Sequence, residues 1–346
     1  GEATGRYALA FGGQQTDTTA EQANNVASGD NAVSFGERTT ASGNNSTAFG
    51  WQTKATEKRA TAFGQRTQAT QSNATAFGID TLASGQNATA FGNLTQATKI
   101  GATAFGNKNQ ATGMYATAWG GGDKVIDNGD GTTSKTGTLA SGTYATAFGE
   151  RTVASGESAT AFGSDSIASG KNSVAFGENS TAAAENSLAA LGGNIAEVAS
   201  NAAAIGKDAK ANLADSVALG SNSVASRTKY KDLTSDTEKA AYAKGTSKGS
   251  AWEATDNAIA IGNDDNVTRQ LTGVAAGSLD TDAVNVAQLK AVDAKHTTVS
   301  VGGTKATTDG EAVKGGNLEL TRTITNGQAN YDVSLNKDIT LGMQEE

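Results

Sequence analysis

The bulky apolar residues of this chain recur in a single slot. Reading each Ala-Phe-Gly or its equivalent, the large residue before the glycine falls at Phe11, Phe35, Phe49, Phe63, Phe77, Phe91, Phe105, Trp119, Phe148, Phe162, Phe176, Leu191, Ile205, Leu219 and Ile261. Ten of the fourteen intervals are 14 residues, and the others are 24, 29, 15 and 42. All ten phenylalanines of the protein occupy this slot. Six positions later stands alanine, as at Ala41, Ala55 and Ala69, and two positions earlier a β-branched residue, as at Val33, Thr47 and Thr61. Four positions earlier come Asn45, Asn73, Asn87, Gly101, Tyr115 and Tyr144. Asn and Gly tolerate positive φ, so the period predicts one turn there and a second at the Phe-Gly step.

Each unit therefore reads strand, turn, strand, turn. In Ala-Thr-Ala-Phe the period is 2, with Thr and Phe on one face and the two alanines on the other. The second segment, such as Thr53-Lys54-Ala55-Thr56, alternates small residues inward with polar residues outward. No 3.6-residue period supports a helix. Fourteen residues are too few for a three-sided β-helix, which leaves a narrow two-sided parallel β-roll with coils stacked about 4.8 Å apart. Fourteen or fifteen coils at that spacing make a rod on the order of 70 Å long. One strand face fills the roll and the other becomes an apolar stripe along it; the pattern leaves open which is which. A stripe of this length exceeds what soluble monomers expose, and burying one Phe is worth about 1.5–3 kcal/mol. Self-association in parallel register is the expected solution.

Three stretches interrupt the period, near 13–25, 120–139 and 227–256. In the second, the turn pairs Asn128-Gly129 and Asp130-Gly131 stand between strand-like flanks and predict a hairpin. The third carries Tyr230, Tyr242 and Trp252. Insertions in a solenoid map to surface loops, often on its binding face. Beyond Ile261 the pattern changes. Asp280 to Asp282 supply helix-start residues ahead of Val286, Leu289 and Val292. From Thr297 to Leu341 short alternating strands with Gly pairs predict a separate small β module. The expected domains are 1–263, 264–294 and 295–346.

Composition narrows the chemistry. The chain has 346 residues, 43 glycines, no proline and no cysteine, and a net charge of −8. The acidic balance argues against nucleic-acid binding. Without cysteine there are no disulfides or thiolate metal sites. His296 is the sole histidine, with no nucleophile motif near it, and reads as a junction residue. No run of about 18 apolar residues predicts a membrane-spanning helix, and no signal segment is visible.

The Asn-x-Thr-Ala-Phe-Gly repeats, followed by Leu279-Asp-Thr-Asp-Ala-Val-Asn-Val-Ala-Gln-Leu289, resemble the head and neck of trimeric autotransporter adhesins, the YadA-like head. The repeat covers about residues 1–262 and the neck about 264–294. The resemblance implies an all-β, left-handed parallel β-roll solenoid of 14-residue coils, homotrimeric, followed by a short neck helix and a small β-rich stalk module. It implies a place on the outer surface of a Gram-negative bacterium, with a coiled-coil stalk and a membrane anchor outside this chain. The family more commonly has Val and Ile where this chain has Thr and Phe.

The expected function is attachment to host extracellular-matrix proteins, host-cell receptors or partner bacteria, with no enzymatic activity and no cofactor. The alternative is a structural spike or phage-type fibre without its own ligand. An ice-binding solenoid is disfavoured because Thr shares its face with Phe, and a polysaccharide-cleaving β-helix because no paired-carboxylate cleft is in view. Candidate ligand-binding residues are Trp51, placed in the turn beyond its strand, then Lys124, Asp127, Asn128 and Asp130 of the hairpin, and Tyr230, Tyr242 and Trp252. Asp127, Asn128 and Asp130 offer oxygen ligands, but the full calcium-loop pattern is missing and hairpin-turn chemistry is preferred. Trp252 reads as the packing nucleus of its insert. Asn73-Ala-Thr and Asn87-Ala-Thr match the glycosylation sequon and read more simply as turns. Phe35, Phe49, Phe63, Phe77, Phe91, Phe105, Trp119, Phe148, Phe162 and Phe176 form the expected trimer or core ladder. Val284, Val286 and Leu289 mark the neck.

Overall fold

A computed structural model describes residues 1–12, 25–127, 133–234, 252–293, 299–307, 309–325 and 328–342. It divides into two compact units, Gly1–Gln270 and Leu271–Glu346.

The first unit is a parallel β-solenoid. Strands such as Thr47–Trp51 stack into one 15-stranded sheet, and two-residue strands such as Lys54–Ala55 stack into a second of 15. Each residue sits on its own equivalent one coil away: Phe49 pairs with Phe63 and Phe63 with Phe77, while Ala55 pairs with Ala69. The two sheets face each other across an interior made almost wholly of alanine. Ala48, Ala62 and Ala76 of the first sheet meet Ala55 and Ala69 of the second, all fully buried. Small side chains suit so thin a roll, with Ile195 a buried exception in register with Ala182 and Ala211, and this settles the question of faces. The alanines fill it, and the Thr–Phe face stays outside.

A second interior column holds Thr53, Thr67, Thr81 and Thr95. Thr95 Oγ1 donates to Gly106 O of the next coil at 2.8 Å, and Thr152 Oγ1 to Gly163 O at 2.7 Å. The Thr95 and Thr152 hydroxyls are thus satisfied against the glycine turn, whereas those of Thr53, Thr67 and Thr81 are buried without a hydrogen-bond partner.

Both predicted turns are present. Asn45, Asn73 and Asn87 have φ near +58°, and from Phe35 onward the glycine after each Phe also has positive φ, as at Gly50 with φ +135°. Most second turns contain a further left-handed residue, and in several no local signal marks it, as at Gln52, Arg66, Leu94 and Lys108. A non-glycine residue there costs about 1–2 kcal/mol. The ladder offsets it, because Arg66 N donates to Trp51 O at 2.8 Å and Asp80 N to Gln65 O at 2.9 Å.

The register corrects one slot. Phe176 pairs with Ala190, and Ala190 with Ile205. Leu191 lies one residue further on, at a left-handed turn position with φ +56°. The cause is a shortened turn: the next short strand, Asn194–Ile195, starts four residues after Ala190, whereas Thr181–Ala182 starts five after Phe176. The bulk reappears at Leu188, paired with Val174.

Of the interruptions, 120–139 forms an antiparallel hairpin from Lys124–Asp127 and Thr133–Thr136. Asn128 and Asp130 lie outside the described residues, as do 13–24 and, in the third insert, 235–251 with Tyr242. Near the end of this unit Arg269 closes the roll. Its Nη1 donates to Ser223 Oγ at 3.0 Å and Nη2 to Ser221 O at 2.6 Å, over Gly220.

In the second unit a helix spans Val286–Asp293. Its start differs from the Asp280–Asp282 expected. Asn285 Oδ1 accepts from Gln288 N at 3.0 Å while Gln288 Oε1 accepts from Asn285 N at 3.2 Å, a reciprocal capping box. Asp282 instead holds the preceding turn, its carboxylate accepting from Ser278 N and Leu279 N at 2.8 and 3.0 Å. Ala312–Gly315, Leu318–Thr325 and Gln328–Leu335 form an antiparallel sheet. Leu320, Val301 and Ala306 make its small core.

Candidate functional site

The outer face of the longer-strand sheet is the most distinctive surface of the roll. From Phe35 to Phe105 successive rings stack with centroids 4.6–4.8 Å apart and planes within 2–4°. Exact 14-residue spacing and parallel register force this, since identical rotamers repeat at the strand spacing. Phe11 joins at one end, and Trp119, Phe148, Phe162 and Phe176 extend the column at separations of 4.5–5.8 Å. Stacking covers each ring only above and below, so Phe77 is still 40% exposed. Beyond Ala190 the column continues with Ile205 and Leu219.

Trp51 is the last residue of its strand rather than part of the following turn, and it is half-buried. It lies between Glu37 and Gln65 of adjacent coils, and the Arg66 guanidinium sits 5.8 Å from its ring centroid, a cation–π contact. Arg66 also holds Asp80 through two hydrogen bonds, Nε to Oδ1 at 2.5 Å and Nη2 to Oδ2. These hydrogen bonds lower the Asp80 pKa and raise that of Arg66. Arg151 grips Asp165 in the same bidentate way, and Arg6 Nη2 reaches Asp30 at 2.9 Å. All three pairs join equivalent coils along the roll.

Trp252 is 45% exposed, so it is not the buried nucleus expected of its insert. Tyr230 opens a single 3-10 turn, Tyr230–Asp232, whose first N–H donates to Ala254 O at 2.9 Å. A cavity of about 340 Å³ lies nearby, lined by Arg227, Asp264 and Arg269 among others. Among the described residues no three His, Asp or Glu side chains gather in a way that holds a metal ion. Val284, Val286 and Leu289 are exposed on the second unit. No described helix is long and apolar enough to cross a membrane, which says nothing of β-barrels. Sequence reasoning missed the Arg269 plug. An arginine just past the final repeat is its only trace.

Two family models match this architecture. The YadA head domain repeat matches at 27–53, 55–81, 83–108, 97–122, 140–166, 168–193 and 199–223, and the coiled stalk of trimeric autotransporter adhesin at 270–312. The chain belongs to the trimeric autotransporter adhesins. It is 35% identical over 106 residues to autotransporter adhesin BadA of Bartonella henselae, covering 26% of this chain and 3% of that protein. It is 49% identical over 61 residues to trimeric autotransporter adhesin AtaA of Acinetobacter sp. (strain Tol 5), covering 17% of this chain and 2% of the relative. The matched segments are thus a few per cent of the length of those relatives. The solved collagen-binding domain of Yersinia adhesin YadA matches with 24% identity and a TM-score of 0.23, over 71% of this chain and 85% of that one.

Proposed function

We propose that the chain is the adhesive head and upper stalk of a bacterial surface adhesin, acting as a parallel homotrimer. Residues 1–263 are the head, 264–294 the neck and start of the coiled coil, and 295–346 a β-rich stalk module. The observation that carries this is the aromatic column. An ordered apolar stripe running most of the length of the roll is costly in water, and three copies placed face to face remove it. In the neck, Val284, Val286 and Leu289 pack against their counterparts in the other two copies.

The rod attaches its cell to extracellular-matrix proteins, host-cell receptors or other bacteria. Three chains and many coils multiply weak contacts without a deep pocket. The hairpin with Lys124, Asp127, Asn128 and Asp130, the insert with Tyr230, Tyr242 and Trp252, and the Trp51–Arg66 pair are the candidate contact points. The protein sits at the bacterial outer membrane and catalyses no reaction. Light scattering on the purified chain tests the assembly, with a trimer expected. A binding panel of matrix proteins, host cells and bacteria then tests attachment, repeated after deleting 120–139 or 227–256. A trimer that binds nothing would favour the spacer-fibre alternative.

A further inference from the structure

The turn ridge that carries Asn73 and Asn87 changes character midway along the roll. At the equivalent position of successive coils stand Gly101, Tyr115, Tyr144 and Ser158. Each backbone N–H donates to the coil before it: Tyr115 to Ile100 O, Tyr144 to Met114 O and Ser158 to Thr143 O, all at 2.8 Å. The two tyrosine rings are parallel within 5°, with centroids 5.4 Å apart. Gly101 is their seat, since a Cβ there would lie 2.5 Å from Tyr115 Cδ1. One face of Tyr115 therefore closes over the glycine, and Tyr144 lies on the other. Beyond Tyr144 the next rung is Ser158, too small to cover a ring, and Tyr144 is 58% exposed.

The stack is rigid. Both tyrosines have left-handed backbone, φ +56° and +59°, fixed by the ladder on either side. Surroundings differ at its two ends. Ile100 and Met114 form an exposed apolar shelf beside the Gly101–Tyr115 end. At the open end the adjoining turn residues are polar: Thr143, Glu157, Ser158 and Asn172, with Glu157 3.5 Å from Lys171 Nζ.

We propose that the rung over Ser158, against the open face of Tyr144, is a subsite for one pyranose ring of a surface glycan. The coil repeat of about 4.8 Å leaves room for one flat ring at aromatic stacking distance. A pyranose presents C–H groups to the electron-rich face of tyrosine and hydroxyls at its rim, where Glu157, Ser158 and Asn172 offer acceptors and donors. A wholly apolar occupant would desolvate those polar groups without replacing their hydrogen bonds. The inference deepens the adhesin reading and rests on it, because a single shallow ring site is weak and gains strength when three copies act together.

The test uses the trimeric chain and a panel of methyl glycosides of neutral hexoses and N-acetylhexosamines, read by titration calorimetry and by ring-current shifts of the sugar protons. At least one glycoside is expected to bind. Tyr144→Asn restores the residue other coils carry, so it keeps the turn, and it is expected to weaken binding about tenfold. Tyr144→Trp is expected to retain or tighten it. Unchanged binding in Tyr144→Asn overturns the assignment, as does a panel with no binder. If sugars fail while matrix or cell binding persists, the adhesin reading stands and this one falls. If Tyr144→Asn weakens binding only to a protein target, the occupant is a protein side chain and the glycan assignment is wrong.

Discussion

Gly64 shows what one position of the period must satisfy. Its φ is +131°, and an added Cβ would lie 1.9 Å from Gly78 O of the next coil. The glycine is required twice, by the backbone angle and by the close approach. Gly64→Ala is expected to cost at least roughly 1–3 kcal/mol from the backbone alone, seen as a lower melting midpoint and locally increased amide exchange. Asn73 and Asn87 were legible as turn residues because Asn visits the left-handed region readily. Arg66 and Leu94 occupy it equally and were not, because their own chemistry gives no such signal and only the neighbouring coils hold them there. Arg66 also fixes a pH response. Its hydrogen bonds set the Asp80 carboxyl below the ordinary value of 3.8, so the unfolded chain takes up the proton first as pH falls. The pair therefore contributes stability above the unfolded value, and the contribution fades as pH drops through the folded one. Melting midpoints of the parent and Asp80→Asn should differ at pH 7 and converge once the pH has fallen through the lowered folded-state value of Asp80. A difference independent of pH would mean the ion pair is not the cause.

At the level of the element, the coil is the unit of exchange. Removing residues 64–77 joins Phe63 to Gly78 with every side chain still in phase. The shortened head is expected to fold, unfold cooperatively and melt only a few degrees lower, because each repeat contacts chiefly its neighbours. Removing seven residues, 64–70, puts the strands of the two sheets out of order and is expected to yield insoluble protein. Circular dichroism and solubility separate the two outcomes. The Phe176–Ala190–Ile205 register shows the limit of counting. A fifteen-residue interval placed Leu191 in the slot by its size and the glycine after it. The hydrogen-bonded ladder chose Ala190, because the second strand arrives one residue early and the turn absorbs Leu191. The helix start was missed for a similar reason. Asp280 and Asp282 are good caps in isolation, but Asn285 with Gln288 three residues on completes the reciprocal pair.

For the whole molecule, the consequential feature is the face the alanines leave outside. Phe77 sits mid-column between Phe63 and Phe91. In a parallel trimer about that face, Phe77→Asp gathers three carboxylates in an apolar seam. The expected result is loss of the trimer in light scattering while the single chain's circular dichroism persists, since the alanine interior is untouched. A stable trimer carrying this change would place the axis on another face. The sequence by itself determined the coil: its length, its two strands and the pairing of alanine against Thr–Phe, because a 14-residue period admits one stacking register. It also placed the three interruptions and the change of pattern after Ile261. Tertiary structure decided which face is inside, since that depends on how closely two sheets approach, and the alanine face permits the approach seen where the Thr–Phe face would not. It also decided where Arg269 closes the roll, and how a glycine and two tyrosines from three coils leave an open ring face over Ser158. Those are relations between coils, and a residue's own identity does not carry them.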